Sequence, residues 1–121
     1  MLGPGVYPAS VTPFDAKGRV DNAQLARLLA YFEAAGCRGV VLAGTNGEGP
    51  SLSAPEKRDL VHSAIGLKGS LQVVLGIATA SLSEAVWLCR QAGAAGADGV
   101  LLMAPGYFRT ASEKGVADWF R

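Results

Sequence analysis

Short apolar runs alternate with capped helical segments along this chain, and this alternation most constrains its fold. Four runs are rich in Val, Leu or Ile and show little polar alternation, which is typical of strands buried on both faces of a parallel sheet. A helix signal follows each run. The pattern predicts an α/β fold built from parallel βα repeats. The four predicted strands are Val6–Val11, Gly39–Ala43, Gln72–Gly76 and Gly99–Ala104.

Each predicted helix opens with a residue that favours a helix N-cap, followed three positions later by Glu or Gln. These signals start at Asp21, Ser53, Ser81 and Thr110. Residues 35–42 also resemble residues 95–102, at an offset of 60 residues, or two βα units. Repeated βα units with short loops predict either a (β/α) barrel or a doubly wound sheet.

The length of the chain limits how much of a barrel it can build. A complete (β/α)8 barrel takes roughly 250 residues, whereas the 121 residues here supply about four βα units. We therefore interpret residues 1–121 as one partial (β/α)-barrel domain, truncated at its C-terminus. A natural half-barrel or a small flavodoxin-like sheet is the alternative.

Charge and composition exclude several classes of partner. The formal net charge is +1 and no basic cluster is visible, which argues against nucleic acid. No apolar run approaches the roughly 20 residues of a membrane span. The start of the chain lacks the basic and apolar regions of a signal peptide, and Cys37 and Cys89 have the apolar settings of reduced, buried thiols. These features predict a cytoplasmic protein.

The stretch Gly44-Thr45-Asn46-Gly47-Glu48 follows the second predicted strand directly. Ligands of parallel α/β folds bind at the carboxyl ends of strands, and glycines there expose backbone N–H groups. A hydroxyl and an amide beside those groups predict a site for a small anion such as a carboxylate. Asn46 is equally well explained as a turn residue, and Glu48 is assigned a structural role.

Nucleotide and metal sites are not supported by the sequence. The glycine spacing after Gly44 resembles a phosphate loop, but that motif requires Lys where Pro50 stands. No Gly-x-Gly-x-x-Gly follows the first predicted strand. No cluster of His, Cys, Asp or Glu has the spacing of metal ligands. His62 is assigned to a helix surface. We therefore predict neither a metal site nor a cofactor.

Four motifs, in order and spacing, resemble the N-terminal half of the dihydrodipicolinate synthase / N-acetylneuraminate lyase family. The resemblance runs along nearly the whole chain and implies the N-terminal half of a TIM (β/α)8 barrel. It also implies class I aldolase chemistry, in which a strand lysine forms a Schiff base with pyruvate or a related 2-oxo acid and a carbon–carbon bond forms or breaks. The motifs are Val11-Thr12-Pro13-Phe14, Gly44-Thr45-Asn46-Gly47-Glu48, Leu52-Ser53 with Glu56 and Arg58, and Pro105-Gly106-Tyr107.

The resemblance assigns roles to three residues. Thr45 and Tyr107 match catalytic members of a proton relay, and Thr45 and Asn46 match the loop that binds the carboxylate of the oxo acid. Asn46 replaces a second threonine of the family, and Gly106 replaces the first tyrosine of a pair. These departures leave open a 4-hydroxy-2-oxo-acid or sugar-acid aldolase.

No lysine of this chain is assigned as the nucleophile. Lys17 is predicted in a loop and Lys57, Lys68 and Lys114 at helix ends, whereas the Schiff-base lysine and second relay tyrosine of the family lie on later strands. We therefore expect residues 1–121 alone to be inactive. A full-length protein would bind a small 2-oxo acid and form a homo-oligomer, either a dimer or a tetramer. An inactive fragment or a small α/β carboxylate-binding module is the non-enzymatic alternative.

Overall fold

The computed structural model describes residues 1–107 and 109–121, and its helices and strands alternate along the chain. The parallel βα repeats confirm the predicted α/β class. The elements are α1 (Asn22–Ala34), β1 (Gly39–Leu42), α2 (Ala54–Leu67), β2 (Gln72–Ile77), α3 (Leu82–Ala95), β3 (Gly99–Leu102) and α4 (Glu113–Trp119), with a 3₁₀ turn at Gly49–Ser51.

The strands form one parallel sheet in the order β1-β2-β3. Gly39 pairs with Gln72 at the start of the first ladder, and Val74 pairs with Gly99 at the start of the second. Because both pairs are parallel, the carboxyl ends of the strands meet at one edge of the sheet. The loops after β1 and β3 therefore leave from the same edge.

The prediction of a strand at Val6–Val11 is wrong. Ala9 makes only an isolated parallel bridge with Val41, although the segment runs beside β1. The Val41 N–H donates to the Pro8 carbonyl at 2.9 Å, and the Ser10 N–H donates to the Val41 carbonyl at 3.0 Å. Pro8 has no N–H to donate, so it interrupts any longer ladder.

Three of the four predicted helix caps are confirmed. The Asp21 carboxylate accepts from the N–H groups of Ala23 and Gln24, Ser53 forms a complete capping box with Glu56, and Ser81 caps α3. The fourth prediction is wrong, because α4 begins at Glu113 and its N-cap is Ser112 rather than Thr110. The Ser112 side chain accepts from the Gly115 N–H at 3.1 Å, so the second of two nearby hydroxyls sets the start of the helix.

The hydrophobic core lies between the sheet and helices α1, α2 and α3. Leu25 and Leu29 of α1, Leu60 of α2 and Leu88 of α3 are fully buried in one cluster. From the sheet, Val40, Leu42, Val73, Leu75 and Ile77 join that cluster. Cys37 and Cys89 are free thiols, and they are half-buried rather than buried as predicted. Within the described residues, none of the helices is long and apolar enough to cross a membrane.

Residues 1–7, the N-terminal arm, lie along the amino-terminal edge of the sheet. The side chain of Gln72, at the start of β2, accepts from the Gly3 N–H at 2.8 Å and donates to the Met1 carbonyl at 3.2 Å. The Tyr7 hydroxyl donates to the Gly3 carbonyl at 2.8 Å. The arm is thus attached to the edge opposite the loops that carry the predicted site residues.

Candidate functional site

An open cleft of about 400 Å³ lies at the carboxyl ends of the strands. Gly44 and Thr45 contribute to its wall after β1, Ile77 and Ala78 at the end of β2, and Ala104 after β3. The lining is mainly apolar, and Thr45 is the residue with a hydroxyl among the described residues that line it. Clefts of this kind, with a few polar groups in an apolar wall, are the usual binding sites of parallel α/β folds.

The loop after β1 begins and ends with residues in left-handed conformations. Ala43 has φ 52° and Glu48 has φ 54°, a region that residues other than glycine rarely adopt. Between them the chain turns back on itself, since the Glu48 N–H donates to the Thr45 carbonyl at 3.1 Å and the Gly49 N–H donates to the Gly44 carbonyl at 3.0 Å. Such conformations cluster at functional sites, where surrounding packing holds them in place.

Backbone-to-backbone packing below this loop requires three glycines. A Cβ atom at Gly49 would overlap the Ala43 carbonyl oxygen, and a Cβ at Gly76 would lie 2.7 Å from the same oxygen. A Cβ at Gly47 would lie 2.7 Å from the Ser10 carbonyl oxygen. The loop, the end of β2 and the segment before α1 are therefore packed too closely for side chains at these positions.

The Thr12 hydroxyl is a part of this site that the sequence did not reveal. It donates to the Gly47 carbonyl at 2.7 Å in a buried setting. Thr12 belongs to one of the motifs that carry the family resemblance, but the sequence assigned it no role. Its partner lies 35 residues away, so only the folded structure connects them.

The predicted site residues occupy different positions relative to the cleft. Thr45 lines it, whereas Asn46 and Tyr107 are outside its lining. The Asn46 side-chain amide reaches the Ala9 carbonyl at 3.5 Å, and the side chain of Tyr107 is 82% exposed. The roles assigned to these three residues remain predictions.

None of the four lysines, all within the described residues, lies in a strand or lines the cleft. Lys68 pairs with Asp98 at 3.2 Å and Lys114 pairs with Asp118 at 2.6 Å. Lys57 lies in the first turns of α2, as predicted, but it is only 2% exposed. Its burial was not anticipated, because the sequence pattern placed it only at a helix end.

Asp98 precedes β3, at the edge of the sheet away from the cleft. Its burial acts to raise the pKa of the carboxyl, but hydrogen bonds from the Val73 N–H and the Lys68 ammonium outweigh that effect and lower the pKa below its ordinary value. Asp98 therefore joins α2, β2 and β3 as a carboxylate. In the part of the chain that the structure describes, no group of three or more His, Cys, Asp or Glu could hold a metal ion.

Residues 3–121 match the model of the Dihydrodipicolinate synthetase family. The chain belongs to this family. The match covers almost all of the sequence and includes the loop that lines the cleft, so the resemblance on which the site residues were chosen is confirmed.

Relatives named 4-hydroxy-tetrahydrodipicolinate synthase are similar to this chain over most of its length. One from Synechococcus sp. (strain CC9311) is 40% identical over 116 residues, covering 93% of this chain and 37% of the relative. One from Methanothrix thermoacetophila is 38% identical over 117 residues, covering 97% of this chain and 39% of the relative. The chain thus spans less than half the length of these relatives.

Solved structures show the same fold. A prophage protein of the family from E. coli K12, YagE, in complex with pyruvate, superposes with a TM-score of 0.93 at 30% identity, over 99% of this chain and 40% of that protein. KD(P)GA from T. tenax superposes with a TM-score of 0.88 at 31% identity, over 98% of this chain and 40% of that protein. The partial coverage is consistent with the N-terminal half of a TIM barrel, as predicted.

Proposed function

We propose that these residues form the carboxylate-binding part of a class I aldolase that acts on pyruvate or a related 2-oxo acid. The observation that carries the proposal is the position of Thr45. Thr45 lines the cleft at the carboxyl ends of the strands, within a glycine-rich loop that matches a family of lyases. The pyruvate bound to the similar prophage protein is consistent with this substrate class.

In this proposal Thr45 and Asn46 bind the carboxylate of the oxo acid, and the Thr45 hydroxyl and Tyr107 pass a proton. A lysine on a later strand, outside these residues, forms the imine with the carbonyl carbon of the substrate and withdraws electrons from the bond that forms or breaks. Thr45 is exposed and its hydroxyl donates to none of the described residues. It is therefore free to contact a substrate.

A 4-hydroxy-2-oxo-acid or sugar-acid aldolase is the second candidate. Two departures from the family pattern favour it, namely Asn46 and Gly106. The similarity to KD(P)GA from T. tenax also shows that this fold is not restricted to proteins named as synthases. Assays that supply pyruvate with different aldehydes would separate the two candidates, because they differ in the second substrate and share the first.

The assembly and location of the whole protein are also proposals. We propose a homo-oligomer, a dimer or a tetramer, in the cytoplasm. A protein described as the first monomeric dihydrodipicolinate synthase variant is 31% identical to this chain with a TM-score of 0.86, so the family fold does not by itself fix the oligomeric state. Sedimentation of the whole protein would decide the point.

The test uses a completed barrel, defined as residues 1–121 followed by the part of the Synechococcus synthase beyond its matched segment. The completed barrel is incubated with pyruvate and borohydride, which reduces an imine to a stable adduct, and its mass is measured. We expect one adduct per chain. In the Thr45→Val variant turnover should fall about 10²–10⁴-fold, which is the typical contribution of a general acid–base group.

Two controls accompany the trapping experiment. The Synechococcus synthase itself shows that the conditions trap an imine, and borohydride without pyruvate gives the background mass. The 121-residue chain alone should form no adduct, because none of its lysines lines the cleft. An adduct on Lys57 or any other lysine of the chain would mean that this lysine, and not one on a later strand, is the nucleophile. Unchanged turnover in folded Thr45→Val would refute the role of the hydroxyl.

A further inference from the structure

We propose that Thr12 is a positioning residue for the loop that carries Thr45. Its hydroxyl fixes the peptide group between Gly47 and Glu48, and through that peptide it fixes the turn from Gly44 to Gly49. The consequence for ligand binding rests on the proposed function. The effect on the order of the loop does not depend on it.

The contact has the geometry of a strong and sheltered hydrogen bond. The Thr12 hydroxyl lies 2.7 Å from the Gly47 carbonyl oxygen, the usual distance for an O–H donor. Thr12 is 7% exposed and Gly47 is buried. Among the described residues, this hydroxyl is the donor that the structure records for the Gly47 carbonyl. Without it, that carbonyl would be a buried acceptor with no partner, which is costly.

The peptide held by Thr12 leads into a strained residue. Glu48 has φ 54°, in the left-handed region. A rotation of the preceding peptide plane by about 180° would bring φ of Glu48 to an ordinary negative value, and Gly47, having no Cβ, would tolerate the change. The rotation would also turn the Gly47 carbonyl away from Thr12. The hydrogen bond from Thr12 therefore opposes the movement that local strain favours.

Thr45 and Asn46 lie in the same turn, closed by the hydrogen bond from the Glu48 N–H to the Thr45 carbonyl. Rotation of the peptide before Glu48 moves that N–H and breaks the closing bond. A less ordered turn presents its backbone and the Thr45 hydroxyl to a carboxylate in many orientations, so binding weakens. Thr12 thus acts on the ligand through Gly47 and Glu48, without touching it.

The test compares Thr12→Val, which keeps the shape and removes the donor, with Thr12→Ser, which keeps the donor. Both are made in the completed barrel, and amide hydrogen exchange is followed by NMR. In Thr12→Val the N–H groups of Glu48 and Gly49 should exchange about tenfold faster or more, since one buried hydrogen bond is lost. Amides in the middle of β2 should change less, and Thr12→Ser should stay near the original rates.

The matched control is Leu88→Ala, which opens a cavity in the core away from the loop. It should speed exchange in the core more than in the loop, so the ratio of loop rates to core rates should fall, whereas Thr12→Val should raise it. Equal effects of Thr12→Val and Leu88→Ala on that ratio would overturn the proposal. Failure of Thr12→Ser to restore the loop rates would overturn it as well.

A titration with pyruvate then connects loop order to binding. Shifts of the Thr45 and Asn46 amide signals give an apparent dissociation constant, which should rise about tenfold in Thr12→Val and return in Thr12→Ser. If pyruvate leaves these signals unmoved in the completed barrel without a substitution, the proposed function loses its carboxylate site, while the exchange rates still decide the role of Thr12. If it binds that barrel and Thr12→Val equally, Thr12 does not position the site.

Discussion

At the scale of single residues, Gly49 shows how closely the backbone packs beneath the candidate site. Its Cα faces the Ala43 carbonyl so closely that an added Cβ would overlap the oxygen. We expect Gly49→Ala to lower the free energy of unfolding by about 1–3 kcal/mol, as overpacking commonly does. Gly93→Ala is the control, because Gly93 lies in α3 with nothing within 4 Å of its Cβ position, and alanine there should stabilise the helix. Urea unfolding of both variants of the completed barrel measures the difference, and equal stabilities would contradict the close-packing account.

A second prediction at this scale concerns Asp98 and acid. The folded protein lowers the pKa of this carboxyl below its unfolded value of about 3.9. Above a pH of about 3.9 the ionised Asp98 therefore stabilises the folded protein. This stabilisation is lost as the pH falls through the lower pKa of the folded state. Asp98→Asn removes this titration. The variant should be less stable at pH 7, and the difference from the original chain should narrow towards pH 2. Denaturant unfolding across this range tests it, and a difference independent of pH would show that the charge of Asp98 is unimportant.

At the scale of elements, α2 carries the most completely capped N-terminus in the described structure. The Ser53 N–H donates to the Glu56 carboxylate at 2.8 Å, and the Ser53 hydroxyl accepts from the Glu56 N–H at 3.4 Å. Ser53→Ala should cost about 1 kcal/mol of stability. Ser63→Ala, within the same helix and without a capping role, should cost nothing. Thermal unfolding of the two variants compares these effects, and similar midpoint temperatures would mean that the cap adds little stability.

Sequence reasoning succeeded at this scale where the cause of a structure is local. Caps such as Ser53 and Ser81 depend on residues three positions apart, and the βα unit repeats about every thirty residues. Both patterns can therefore be recognised in the sequence. It failed at Val6–Val11, where Pro8 interrupts a ladder, and at α4, where Ser112 caps in place of Thr110. Thr45 belongs to a contiguous motif, so the sequence could predict its place after β1, where it lines the cleft, and its role stays a prediction. The bond from Thr12 to Gly47 and the burial of Lys57 depend on tertiary packing, which no local pattern encodes.

At the scale of the whole molecule, the sheet has a strand edge without a neighbour. Among the described strands, β3 pairs with β2 alone, and its side chains are the least covered of the sheet, with Leu101 58% exposed. Unpaired, apolar strand edges promote association with other chains. We expect residues 1–121 alone to self-associate or to fold poorly. Leu101→Lys should shift sedimentation towards monomer, whereas Tyr31→Lys, at a site on α1 that is 67% exposed, should not. A cooperatively unfolding monomer of the original chain would refute the expectation.

The attachment of the N-terminal arm has a consequence for the order of events during synthesis. Gly3 and its partner Gln72 are separated by 69 positions. At a translation rate of roughly 5–20 residues per second, Gln72 is made about 3–14 seconds after Gly3. The N-terminal arm must therefore wait through the synthesis of two helices and a strand before its bonds to Gln72 can form. The arm is thus attached to the sheet only after α1, β1 and α2 have been made.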